Sequence, residues 1–233
     1  MTKKPEAIHE FREIVYDEEH WKNLRKLRTR ALDVLNQLTD AGIEAFAYGS
    51  IARGDVSKNS DIDIIVPHQT SSYKIELVLG TGRKRELVQA TPSTVMKGHI
   101  HLDDNVTVTF PIFKMMPREI EFYRWGGQAS PEQLHDEVRI PGVDKRLILI
   151  EPTERGHLEY GVIGYESRAA KKLGVSIAIA QERVRVLKRR DKVGRTGVYL
   201  TRVLTSEESF ESVTKTLKDS DPALRRTMER REK

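Results

Sequence analysis

Ala47-Tyr48-Gly49-Ser50-Ile51-Ala52-Arg53-Gly54-Asp55, followed by Ser60-Asp61-Ile62-Asp63-Ile64-Ile65-Val66, is the stretch whose reading decides the fold. A short strand over Ala45 to Tyr48 ends at Gly49, where a residue without a Cβ lets the backbone approach a bulky ligand. Ser50 offers a hydroxyl and an amide where a helix begins, a setting that suits phosphate. On a second strand, Ile62 to Val66, residues two apart point to the same face, so Asp61 and Asp63 lie side by side. Two adjacent carboxylates repel each other, and their natural counter-charge is a hard divalent cation such as magnesium, completed by substrate phosphates. A phosphate cradle beside a metal-binding Asp-x-Asp strand points to nucleotidyl transfer.

Gly49-Ser50, the spacer Ile51 to Ser60 and the apolar-flanked Asp61-Ile62-Asp63-Ile64 together resemble the signature of the polymerase-β nucleotidyltransferase superfamily. Arg53-Gly54 and the Ser60 before Asp61 are similar to the superfamily's minimal members. The resemblance implies an α+β fold, a mixed sheet with packed helices. It also implies Mg2+ (or Mn2+) as cofactor and a nucleoside triphosphate such as ATP as substrate. Carried over residue by residue, Asp61 and Asp63 become catalytic metal ligands, and Gly49, Ser50, Arg53 and Ser60 become nucleotide contacts. The superfamily places a third carboxylate on a strand after Asp-x-Asp. Here Thr107 and Thr109 stand at those alternate positions, which leaves Asp103, Asp104, Glu119 and Glu121 as candidates. Pro141-Gly142-Val143-Asp144-Lys145-Arg146, with the Gly156-His157 that follows Glu151-Pro152-Thr153, also resembles a group of archaeal predicted nucleotidyltransferases.

The 233 residues suffice for one large domain or two small ones, and a composition of 38% hydrophobic and 32% charged residues suits a soluble globular protein. The chain has no cysteine, which excludes disulfides, thiolate metal sites and a thiol nucleophile. It has neither a signal peptide nor a long apolar run, so the expectation is a cytoplasmic protein with no membrane partner. Nothing in it specifies an oligomeric state. The net charge of +5 is uneven: residues 151 to 233 hold 19 Lys and Arg against 13 Asp and Glu. The segment from Arg168 to Arg202 carries 11 basic residues and two acidic ones, an electrostatic footprint for a polyanion.

In chain order, Trp21, Leu24, Leu27, Ala31, Val34, Leu35 and Leu38 recur at helical spacing, predicting an amphipathic helix that ends near Asp40. Arg25, Arg28 and Arg30 fall off its apolar stripe and read as solvated. Ile75 to Leu79 and Glu86 to Ala90 fit either helix or strand. His99 to Leu102 and Val106 to Phe110 alternate around Asp103-Asp104-Asn105, a hairpin pattern. Pro111 to Pro117 is a linker and Arg118 to Gly127 a short helix closed by glycine. A strand over Leu147 to Ile150 precedes the break at Glu151 to His157, so the expected domains are 1–150, the nucleotidyltransferase part, and 151–233.

Residues 158 to 203 are similar to a winged helix-turn-helix. Leu158, Val162 and Ile163 suit a first helix, Ser167 to Leu173 a second, and Gly174 the turn. Ser176 caps a third helix through about Leu187, and Val193 to Leu200 reads as a wing. Lys171, Lys172, Arg183, Arg185, Lys188, Arg189, Arg190 and Arg195 are then the candidate nucleic-acid contacts. Charged helices follow Glu207. The function expected is magnesium-dependent transfer of a nucleoside monophosphate to a nucleic-acid acceptor, tRNA or DNA. The alternatives are a catalytically inactive DNA-binding regulator on the same fold, and nucleotidylation of a protein or a small molecule.

Overall fold

A computed structural model describes residues 4–8, 10–103, 105–194 and 197–232. The fold is a mixed α+β arrangement that divides into two units: Met1–Leu32, Ala47–Ser60 and Ile120–Thr196 form the first, and Asp33–Phe46, Asp61–Glu119 and Gly197–Lys233 the second. Residues 150 and 151 both lie within the strand Ile148–Thr153. Among the described residues no helix is long and apolar enough to cross a membrane.

Helix α1 (Glu18–Asp40) forms where the apolar stripe predicts it, with Leu24, Leu27, Ala31, Val34, Leu35 and Leu38 all buried. In the first unit, β1 (Arg12–Val15), β8 (Gly142–Val143), β9 (Ile148–Thr153) and β10 (Gly156–Gly161) make an antiparallel sheet in the order β1-β10-β9-β8. Strand β2 (Phe46–Tyr48) pairs with β7 (Gln128–Ala129) through Ala47↔Ala129 and Tyr48↔Gln128. Helices α6 (Glu166–Leu173) and α7 (Ile177–Val193) bury Ala169, Ala170, Ile179, Ala180 and Val184 against Trp125, Val143, Leu147, Leu149 and Val162.

The winged-helix expectation is corrected at both ends. Leu158 to Gly161 belongs to β10, not to a first helix. Its period is two: His157 and Glu159 are buried on one face, where Arg146 meets Glu159 and Tyr16, 141 residues away, meets His157. Of the segment read as a wing, residues 195 and 196 lie outside the described residues. Val193 ends α7, and Leu200 begins β11 (Leu200–Val203), which pairs antiparallel with β4 (Lys84–Gln89) of the second unit's sheet from Leu200↔Gln89 to Val203↔Glu86. Between them, α6 and α7 do form a helix-turn-helix, with Gly174 left-handed at φ 62° and the Ser176 hydroxyl accepting from the Ile179 amide.

The second unit is built on β3 (Ile62–Ile65), β4 (Lys84–Gln89), β5 (Met96–His101), β6 (Val106–Pro111) and β11, in the order β11-β4-β5-β6-β3. The β3–β6 pairing is parallel and the others are antiparallel. Of the two ambiguous segments, one is helix α3 (Ser72–Leu79) and the other is β4. One face of the sheet carries Ile62, Ile64, Leu87, Ile100, Val106, Val108 and Phe110, all fully buried. Gly98 lies against the Phe110 ring, where an added Cβ would come within 2.4 Å of it. Phe110 in turn meets Phe210 edge-on at 5.0 Å, anchoring α8 (Phe210–Ser220), which α9 (Pro222–Glu232) follows.

Candidate active site

In the first unit, the signature turn is a single helical turn, α2 (Ser50–Arg53), held from several directions. Gly49 has φ 77°, a left-handed value that strains any residue with a Cβ, and its amide donates to the Gly127 carbonyl at 2.9 Å. A Cβ there would meet nothing within 4 Å, so the backbone at Gly49 is bare on that side. Gly54 closes the turn with its amide on the Ser50 carbonyl at 2.7 Å. Arg53, expected as a phosphate contact, is buried and committed elsewhere. Its Nε and Nη2 donate to both Asp55 oxygens at 2.9 and 3.0 Å, and its Nη1 donates to the Gly126 carbonyl at 2.5 Å. The Ser60 hydroxyl accepts from the Ser57 amide at 2.8 Å, fixing the turn that leads into β3.

Arg28 corrects another expectation. It is buried, and its Nε and Nη2 donate to the carbonyls of Ile51 and Ala52, both at 3.1 Å. Burial, with the charge of Arg139 nearby, lowers its pKa to about 10. The open carbonyl end of α2 therefore rests on a cation from α1, a helix-dipole arrangement. Replacing Arg28 with Met takes its donor from the Ile51 carbonyl, while the Ala52 carbonyl keeps the Ile140 amide at 2.9 Å. The expected loss is about 2 kcal/mol, read as a lower urea midpoint at unchanged slope.

Asp55 also lines an open pocket of about 360 Å³ in the same unit, with Tyr16, His20, Arg146, His157 and Glu159. Burial and the Asp55 charge raise the Tyr16 pKa, and burial lowers that of His157. Tyr16 Oη and His157 Nδ1 are 2.6 Å apart. Sequence reading misses this cluster because its members come from four separated segments.

In the second unit, Asp63 stands on β3 between the fully buried Ile62 and Ile64, and Asp61 immediately precedes the strand. Asp61 is exposed and Asp63 half-buried. Among the described residues no three His, Asp or Glu side chains cluster as a ready-made metal cage. Two carboxylates completed by substrate phosphates nevertheless match the donor set magnesium prefers, and so fit a phosphate-bridged ion.

The candidates for a third carboxylate are mostly occupied. Asp103 caps the β5–β6 turn, accepting from the Asn105 and Val106 amides at 3.3 and 3.0 Å. Glu119 is bound by Arg231 and by the amides of Val95 and Met116. Glu121 caps α7, accepting from the amide and hydroxyl of Ser176 at 3.0 and 2.5 Å. Asp104 lies outside the described residues.

The position beside Asp63 on the neighbouring strand belongs to Thr107, its register partner, and Thr109 stands opposite Ile65. Both threonines are hydrogen-bonded to histidines of β5: His101 Nδ1 to the Thr107 hydroxyl at 3.0 Å, and His99 Nδ1 to the Thr109 hydroxyl at 2.9 Å. Burial, followed by the Lys97 charge, lowers the His99 pKa to about 4.

Of the basic residues read as nucleic-acid contacts, Lys171, Arg185, Lys188, Arg189 and Arg190 are exposed on α6 and α7. Lys172 is exposed and paired with Glu151. Arg183 does not project outward. Its guanidinium lies 4.9 Å over the Phe122 ring, and burial with the Arg190 charge lowers its pKa to about 10. Arg195 lies outside the described residues.

Residues 28–126 match the family model for a nucleotidyltransferase domain, a span from within α1 to just past α4 (Pro117–Trp125). The match supports the polymerase-β superfamily for this segment, and nucleotidyl transfer as its class of activity. No curated protein and no solved structure matches the chain.

Proposed function

We propose that this protein is a divalent-metal-dependent nucleotidyltransferase that moves a nucleoside monophosphate from a nucleoside triphosphate such as ATP to a nucleic-acid acceptor. The reading is supported by the Asp61-Ile62-Asp63 signature, with Asp63 on β3 and Asp61 just before it, inside the span that matches the nucleotidyltransferase model. Asp61 and Asp63 hold magnesium or manganese together with the triphosphate. The ion supplies charge neutralisation on the phosphates and on the departing pyrophosphate. Gly49 and Ser50 present bare backbone and a hydroxyl to the phosphates, and Ser60 keeps the turn before Asp61 in shape. Arg53 and Arg28 brace the α2 turn rather than touching substrate.

The acceptor is assigned to nucleic acid on the strength of the exposed cations on α6 and α7, in a segment after residue 150 with an excess of basic residues. The expected setting is the cytoplasm. Purified protein with Mg2+ or Mn2+ and each α-labelled nucleoside triphosphate, offered tRNA, DNA and protein, tests the proposal. Labelled tRNA or DNA, absent with Asp61→Asn, is the expected result. Label on protein alone overturns the nucleic-acid acceptor, and no labelled product overturns the activity.

A further inference from the structure

A hydroxyl that attacks phosphorus must give up its proton, and Asp61 and Asp63 are assigned to the metal. Asp103, Glu119 and Glu121 are each held by hydrogen bonds that serve the fold. The residues beside Asp63 on its own sheet offer a different route.

Three strands contribute to it. Thr107 on β6 is in register with Asp63, and His101 on β5 is in register with Thr107. Adjacent strands are about 4.8 Å apart, so these side chains form a row on one face. His101 Nδ1 is 3.0 Å from the Thr107 hydroxyl oxygen, and His101 Nε2 is 2.9 Å from Glu86 Oε1 on β4. The other Glu86 oxygen takes Lys84 Nζ at 2.7 Å. Burial raises the Glu86 pKa, but the hydrogen bonds from Lys84 and His101 outweigh it and leave the carboxyl below its ordinary value.

An ionised carboxylate only accepts, so His101 Nε2 carries the proton it donates to Glu86. With that proton on Nε2, Nδ1 is the nitrogen that can accept from the Thr107 hydroxyl. The Thr107 oxygen keeps its lone pairs for an incoming hydroxyl. The sequence hydroxyl, imidazole, carboxylate, at 3.0 and 2.9 Å, has the order and spacing of a nucleophile–base–orienter set.

We infer that Thr107, His101 and Glu86 form the proton path for the acceptor hydroxyl, with Thr107 rather than a carboxylate at the position in register with Asp63. This rests on the proposed nucleotidyl transfer. As the acceptor oxygen bonds to the α-phosphorus and the bond from phosphorus to the pyrophosphate oxygen breaks, the acceptor proton passes to Thr107 Oγ1. The Thr107 proton passes to His101 Nδ1. The resulting imidazolium is stabilised by the Glu86 carboxylate and, being half-buried, returns its proton to water. Thr107 is the catalytic residue; His101 receives the proton through it and Glu86 positions His101. The parallel pair His99–Thr109 does not serve, because Thr109 is only 2% exposed.

The test combines kinetics with the nitrogen shifts of histidine. Thr107→Val keeps the shape and removes the hydroxyl. It is expected to lower kcat about 100-fold, the low end for a general base, with KM and nucleotide binding unchanged, while Thr107→Ser recovers most of the rate. His101→Asn keeps an acceptor for the threonine but cannot pass the proton on, and is expected to match Thr107→Val. In 15N-histidine protein, His101 is expected as the Nε2–H tautomer. An Nδ1–H tautomer, or wild-type kcat in Thr107→Val, overturns the relay and leaves the proposed activity standing. No transfer by the wild type overturns the activity, and the relay with it.

Discussion

Asp63→Asn is expected to leave a folded protein that has lost nucleotidyl transfer by on the order of 10³-fold, about 4 kcal/mol of barrier. Asparagine has the size of aspartate, and the strand is held by Ile62 and Ile64, which are fully buried on the other face. What disappears is one of two negative charges. With only Asp61 left, a divalent ion would be held by one carboxylate and the phosphates, and the charge that builds on the departing pyrophosphate would be less well met. Transfer of an α-labelled nucleotide measures the loss, and Mn2+ titration in the presence of nucleotide measures the weakened ion. Asp61→Asn is the companion variant: Asp61 is exposed, so its replacement does not disturb the core, and it is expected to show the same loss. Full activity in both variants would remove β3 from the chemistry.

Legibility in the sequence followed the locality of the contacts. The Gly49–Asp63 segment is readable because its turn, spacer and strand are contiguous and each part is specified by nearby residues: Gly49 by its φ of 77°, Asp63 by the apolar residues on either side. The hairpin of β5 and β6 is readable for the same reason. Arg28 and Arg53 were not, because a buried arginine on a surface-like position is decided by carbonyls elsewhere, those of Ile51, Ala52 and Gly126. Leu158 to Gly161 is set as strand by contacts its own sequence does not show, Arg146 on the buried Glu159 and Tyr16 on His157 Nδ1. Strand β11 shows the same limit, since the edge of β4 that it completes is more than 100 residues away. The Thr107–His101–Glu86 row spans three strands, and only their register brings it together.

Glu119→Ala is expected to destabilise the protein by about 3 kcal/mol, the usual cost of removing one partner from a buried ion pair. Arg231 is only 3% exposed in its side chain and donates through both Nη1 and Nη2 to Glu119, at 2.6 and 3.0 Å. The same guanidinium reaches the carbonyls of Lys114 and Ser93, so it ties α9 to two loops of the second unit. Without Glu119 that charge is buried and uncompensated. With Arg231→Ala added, the two costs are expected to sum to more than the double variant loses, because the second change removes the stranded charge. The pH dependence has a definite sign. Burial raises the Glu119 pKa, but Arg231 and the amides of Met116 and Val95 bring it below the ordinary 4.5. A carboxyl whose folded pKa is depressed stabilises the fold above its unfolded value and loses that contribution as pH falls through the folded one. The gap in urea midpoint between wild type and Glu119→Ala is therefore expected to be full at pH 7 and to narrow below 4.5. A gap that stays constant across that range would mean that Glu119 acts by packing rather than by charge.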